Sequence, residues 1–201
     1  MPYARFMHGS PGTGSFDIYA GSSRLYSNLS YGMFSDYLPV PEGIGQYAMY
    51  PAGTMVNPLV SSQLTMLPGG MYTIGVAGYP GHVVMLPAQE QAALAAGQSA
   101  LRFINLSPNS PSVDVVLPDG TMLFSGVGTH TRTSYFTMIP ATYTFQIVLS
   151  GTNQVLVSSP PASLAPGASY TLVVHGMLGS SSNPLRAVVV QDGTSLSTYA
   201  L

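Results

Sequence analysis

Two aspartates offer the most direct opening for chemistry. Asp17 and Asp114 each follow a Ser-Pro loop and open an apolar stretch, and paired carboxylates are the usual means of general acid–base work. Their surroundings argue against one shared site. Arg5, Pro11 and Asp17 recur as Arg102, Pro108 and Asp114, each 97 residues further on. With Ser10 and Ser107 in the same register, the two acids are copies of one feature in two modules. The expected role is structural: a carboxylate that accepts N–H bonds from its loop, or one that pairs with Arg5 or Arg102.

The other candidates are weaker. His8, His82, His130 and His175 are scattered, with no His-x-x-x-His or His–carboxylate spacing for a metal. His8 stands where the second copy has Asn105, so an imidazole is not required there. No Gly-x-Ser-x-Gly elbow presents a nucleophilic serine. Gly9-Ser10-Pro11-Gly12-Thr13-Gly14 looks like a phosphate loop, but its Gly-Lys-Ser/Thr ending is missing and the chain has no lysine. The expectation is a protein that is not an enzyme, with no cofactor, no metal and no catalytic residue.

The elements that carry these residues read as strands. Period-two runs, cut by Gly and Pro turns about every 8–12 residues, are the pattern of a β-sandwich. Strands are expected at 3–8, 16–20, 24–26, 33–40, 46–50, 59–66, 72–77 and 82–86. In the second module they are expected at 100–106, 113–117, 121–125, 133–139, 142–149, 154–158, 169–176 and 185–191. Ser35-Asp36-Tyr37 answers to Thr133-Ser134-Tyr135, and Pro68 to Thr73 answers to Pro166 to Thr171. The expected domains are 1–87 and 99–201, joined by a linker at 88–98. Its Ala- and Gln-rich composition favours a turn or two of helix, with Gly97 as a stop.

Composition narrows the function classes. Charged residues make up 6% of the chain, five basic and seven acidic, with a net charge of −2. A typical soluble domain has roughly 25%. No basic patch exists to neutralise phosphates, so nucleic acid is not an expected partner, and no polybasic segment suits anionic lipid. The apolar runs are too short to span a bilayer as helices, so no membrane insertion is expected. Cysteine is absent, which rules out disulfides and thiolate chemistry. The stretch from Met1 to Arg5 has no charged or apolar region of a secretory signal. The expectation from these residues is a chain without a recognisable signal peptide in this sequence.

The repeated pattern, Arg-Phe-x-x-x-Ser-Pro then Asp-(Ile/Val), continues as Ser35-Asp36-Tyr37-Leu38-Pro39-Val40-Pro41-Glu42-Gly43 and as Pro-Gly-x-x-Tyr-Thr. It resembles the DUF4397 family, bacterial domains of unknown function, once per module. The second copy departs at Ser134, Ala141 and Thr142. The resemblance implies an all-β chain of two tandem immunoglobulin-like sandwiches, and an association with cell surfaces and with spore-forming bacteria. It brings no catalytic residues with it.

Tyrosines complete the reading. Tyr37 and Tyr135 recur, as do Tyr72 and Tyr170, and these four are expected in the core. Tyr3, Tyr26, Tyr31, Tyr50, Tyr79 and Tyr199 have no repeat partner and are candidate contact residues. A surface so poor in charge suits dense packing against copies of the same chain, as a homo-oligomer or homopolymer in a filament or layer. The alternative is an adhesive module for glycans or cell wall.

Overall fold

In the computed structural model, which describes residues 1–90 and 94–193, every regular element among the described residues is a β-strand. The chain divides into two compact units. One is Met1–Glu90 with Gly193, the other the described part of Gln91–Asp192.

The first unit has eight strands: β1 (Tyr3–His8), β2 (Phe16–Ala20), β3 (Ser23–Leu29), β4 (Leu38–Pro39), β5 (Gly43–Pro51), β6 (Val60–Met66), β7 (Met71–Tyr79) and β8 (His82–Gln89). They form two four-stranded sheets, in the orders β4-β1-β7-β8 and β3-β2-β5-β6. Alternate residues of both sheets meet in one core that includes Phe6, Phe16, Ile18, Tyr47, Met49, Met66, Ile74 and Val76. Each such side chain contributes about 1.5–3 kcal/mol by leaving water.

The second unit has β9 (Ser99–Asn105), β10 (Val113–Val116), β11 (Met122–Val127), β12 (Thr131–Arg132), β13 (Phe136–Met138), β14 (Thr142–Tyr143), β15 (Gln146–Leu149), β16 (Val155–Ser158), β17 (Ala162–Ser163), β18 (Ser169–His175) and β19 (Arg186–Gln191). Its main sheets run β12-β9-β18-β19, with β13 also on β9, and β11-β10-β15-β16. A two-stranded ribbon, β14-β17, completes it. Phe103, Val115, Phe145, Ile147, Leu172 and Val174 are part of its core.

Four expectations change. The strand order is not immunoglobulin-like, because a constant-type immunoglobulin sandwich pairs its strands as ABED and CFG in antiparallel sheets. Here β1 runs parallel to β7, from Tyr3 opposite Met71 to His8 opposite Val76, and β9 runs parallel to β18. The expected strand at 33–40 is reduced to β4 and a single bridge between Met7 and Phe34. Ser35 is the cause: its hydroxyl accepts the Phe6 N–H at 2.9 Å, standing in for a ladder carbonyl. Thr133 does the same for the Phe103 N–H.

The linker differs too. Ala88 and Gln89 end β8, and the first unit extends to Glu90. The expected helix at 88–98 does not form over its described residues, and 91–93 lie outside them. The expected single strand at 142–149 is two, β14 and β15. Opposite the gap, Pro160-Pro161 separates β16 from β17, since proline cannot donate to a ladder. Ser159 Oγ accepts the Phe145 N–H at 3.0 Å and holds the two sides together across the break.

Candidate functional site

The largest fully buried side chains of the molecule include two arginines, Arg5 and Arg102. Each lies on the strand that its own unit pairs in parallel, and each meets a threonine across that pair. Arg5 Nε donates to Thr73 Oγ1 at 2.9 Å. The Thr73 hydroxyl in turn donates a hydrogen bond to Glu90 Oε1 at 2.7 Å. The Arg5 guanidinium lies 3.7 Å from the same carboxylate, and Tyr37 Oη donates to it at 2.7 Å. The Tyr37 ring covers the guanidinium, 5.0 Å from its centroid. Burial pushes the Tyr37 phenol well above its usual pKa, so it stays a donor throughout the physiological range.

The second unit repeats the arrangement with a shorter acid. Arg102 Nε donates to Thr171 Oγ1 at 2.8 Å, and Thr171 Oγ1 to Asp192 Oδ1 at 2.7 Å. Arg102 lies 3.9 Å from Asp192, Tyr135 Oη donates to Asp192 at 2.6 Å, and the Tyr135 ring covers the guanidinium at 4.9 Å. The break in the ladder at Ser35 and Thr133 brings each tyrosine back over its arginine. Burying a charge is costly unless it is paired and hydrogen-bonded, and each network gives its arginine a carboxylate within 4 Å and a hydroxyl acceptor. Their chemistry is that of a fixed internal clamp.

Glu90 and Asp192 were not legible as the arginines' partners. They are different residues, and Glu90 lies in the stretch that composition assigns to the linker. The pairing of Arg5 with Asp17, and of Arg102 with Asp114, does not occur. Asp17 instead accepts the N–H of Asn28 at 2.8 Å and of Gly53 at 3.1 Å, with exposed Arg24 at 3.6 Å. Asp114 accepts the N–H of Gly126 at 2.7 Å and of Gly151 at 3.0 Å, and the Ser150 hydroxyl. Burial opposes ionisation of Asp114, but those three bonds outweigh it and hold its pKa below the usual carboxylate range. Asn28 and Gly126 both have a left-handed backbone, φ 58° and 65°, where β3 and β11 bulge against β2 and β10. Each aspartate ties a bulge to the turn at the far end of the neighbouring strand.

His8 and Asn105 are another matched pair. His8 Nε2 donates to Gly14 O at 2.7 Å, and Nδ1 accepts the Ser10 N–H at 3.3 Å. Asn105 Nδ2 donates to Ser110 Oγ at 2.9 Å, and Oδ1 accepts the Ser107 N–H at 3.1 Å. A neutral imidazole and a carboxamide each offer one donor and one acceptor here. Ser10 Oγ also donates to Gly78 O at 2.9 Å, while Ser107 Oγ is buried without a hydrogen-bond partner. Pro11 and Pro108 lead the chain out of these turns into the loops before β2 and β10.

Of the candidate contact tyrosines, Tyr3 and Tyr79 are exposed, each by 38%. Tyr26 packs on the core, Tyr31 lies edge-on to His8 and Tyr50 edge-on to Tyr19. Tyr199 lies outside the described residues. Tyr72 and Tyr170 are buried, with their hydroxyls accepting the N–H of Leu67 and Ala165. An open cleft of about 360 Å³ in the second unit is lined in part by Val116, Met122, Gln146 and Asn153. Its one carboxylate, Asp119, is committed to the N–H of Thr121 in its own turn. Among the described residues no three His, Asp or Glu side chains converge on a metal position, and no helix is long and apolar enough to cross a membrane.

Comparison with known proteins adds a family. The family described as a domain of unknown function, DUF4397, matches residues 2–116, a span that takes in β1 to β10. No curated protein matches the chain. Among solved structures, CBMbc (family CBM26) from Eubacterium rectale Amy13K, in complex with maltoheptaose, is similar over 98% of this chain and 98% of its own, at 9% identity and a TM-score of 0.28. The Bacillus anthracis TIE protein is similar over 88% of this chain and 34% of its own, at 11% identity and a TM-score of 0.26. At scores this low neither resemblance bears on the fold or the function of this chain.

Proposed function

The chain belongs to the DUF4397 family, and on that footing we propose that it is a non-catalytic structural protein that assembles with copies of itself in an extracellular or spore-surface polymer. In this reading the second unit is a further copy of the family domain, so that one chain carries two tandem modules.

The observation that carries the proposal is where the charge lies. Of five basic and seven acidic residues, Arg5, Arg102, Asp17, Glu90, Asp114 and Asp192 are buried. The exposed ones are Arg24, Arg132 and Arg186 against Asp36, Glu42 and Asp119. The exterior side chains therefore balance to zero, and proteins near zero net charge associate readily. The same exterior presents Ile139 at 78%, Ile44 at 74% and Val56 at 68% exposure. The polar groups of the buried networks stiffen each unit and offer nothing to a substrate.

Negative-stain electron microscopy and sedimentation velocity over a rising concentration series test this. Regular filaments or layers are expected. A chain that stays monomeric throughout overturns the reading. The glycan-binding alternative now rests on Tyr3 and Tyr79, and would show as retention on polysaccharide that Tyr79→Ala abolishes.

A further inference from the structure

Among the described residues each sheet ends in two edges, and all but one of these edges are blunted. An edge strand presents unpaired N–H and C=O groups, which proteins protect with charges, prolines, bulges or short length. In the first unit β4 has two residues and contains Pro39, and β8 contains Pro87. Strand β3 carries exposed Arg24 and is bulged against β2. In the second unit β12 has two residues and contains Arg132, β13 has three residues, and β19 opens with Arg186. Strand β11 is bulged against β10. Strand β16 has four residues and is also bulged, and Pro160-Pro161 cuts it off from β17, itself two residues long. The first unit's β6 has none of these devices. Its seven residues, Val60-Ser61-Ser62-Gln63-Leu64-Thr65-Met66, pair with β5 in unbroken register and include neither charge nor proline.

We propose that the free edge of β6 is where two copies of this chain join, antiparallel about a two-fold axis at Gln63. The two β3-β2-β5-β6 sheets then become one. The inference rests on the self-assembly reading above and names the contact.

The strand matches itself in this register. Ser61 meets Thr65 of the second copy and Gln63 meets Gln63 of the second copy, all on the exposed face. Val60 meets Met66 of the second copy, and Ser62 meets Leu64 of the second copy, on the face toward the core. Cross-strand Ser–Thr pairs form favourable hydrogen bonds, whereas like charges directly opposite are destabilising. A residue on a two-fold axis faces its own copy, so any charge at 63 would meet itself. Glutamine donates and accepts at once, and satisfies its own copy. An isologous contact gives a dimer, and a polymer then grows through a second surface.

The test uses the full chain, which has no cysteine of its own. Opposed Cα atoms in an antiparallel pair lie about 4.5–5.5 Å apart, within disulfide reach. Gln63→Cys is expected to give a cross-linked dimer on mild oxidation, while Ser27→Cys on exposed β3 gives none. Gln63→Lys, at an exposed position, is expected to keep the circular dichroism spectrum and weaken association at least tenfold in sedimentation velocity. If the wild type assembles, Gln63→Lys assembles equally and Gln63→Cys does not cross-link, the β6 contact is overturned while self-assembly stands. A monomeric wild type overturns both, and leaves the edge to an extended peptide of another protein.

Discussion

At residue 8 the first unit uses an imidazole where the second uses the Asn105 amide, and the exchange has a pH consequence. Burial holds the His8 pKa below its ordinary value of 6.5, because protonation would desolvate a charge and remove the acceptor for the Ser10 N–H. The unfolded chain takes up a proton near pH 6.5, before the folded one does. The contribution of His8 is therefore complete above pH 6.5 and is lost as pH falls through the lower folded value. His8→Asn is expected to leave the urea midpoint at pH 7.5 nearly unchanged and to narrow its fall between pH 7.5 and pH 5. The clamp at Thr73 calls for a larger effect. Thr73→Val strips a hydrogen-bond partner from both buried Arg5 and buried Glu90, and should cost about 3 kcal/mol in urea unfolding. Thr73→Ser, which keeps the hydroxyl, should cost less than about 1 kcal/mol.

Strand ends show where local pattern stops being informative. Gly78 ends the buried run of β7 with φ 106°, and Gly176 follows β18 with φ 89°. A Cβ added at Gly78 would land on the backbone carbonyl of His82, and one at Gly176 on that of Pro184. Gly78→Ala is expected to lower the thermal midpoint sharply, with a loss of at least ~2 kcal/mol. Period-two runs with Gly and Pro punctuation located nearly every strand, because alternation reports which residues face a core. They carry no word on partners, so the parallel β1–β7 and β9–β18 pairings were invisible. The strand expected at 33–40 failed because the Ser35 hydroxyl competes with the ladder, an option that no apolar pattern registers. The repeat located Arg5, Thr73 and Tyr37 with their counterparts. It missed Glu90 and Asp192, since one site takes a long acid and the other a short one, at a spacing the other repeats do not share.

Over the whole molecule, the net charge of −2 belongs to the interior. Buried arginines and acids account for all of it, and the exposed side chains cancel. Added salt screens exposed charges within a Debye length of about 10 Å at 0.1 M, but here there is little repulsion to screen. Association in the sedimentation series is therefore expected to shift less than about twofold between 50 and 500 mM sodium chloride. A steep dependence would mean that charge pairs, not apolar or backbone contacts, hold the copies together.

The placement of the five arginines has a further consequence, in proteolysis. A protease that cuts after basic residues has no lysine to attack, and each arginine lies within a strand: Arg5 in β1, Arg24 in β3, Arg102 in β9, Arg132 in β12 and Arg186 in β19. Nicking concentrates at exposed loop tips, and none of the described loops offers a basic residue. Digestion by such an enzyme must wait for a strand to leave its sheet, so its rate measures how often the folded units open.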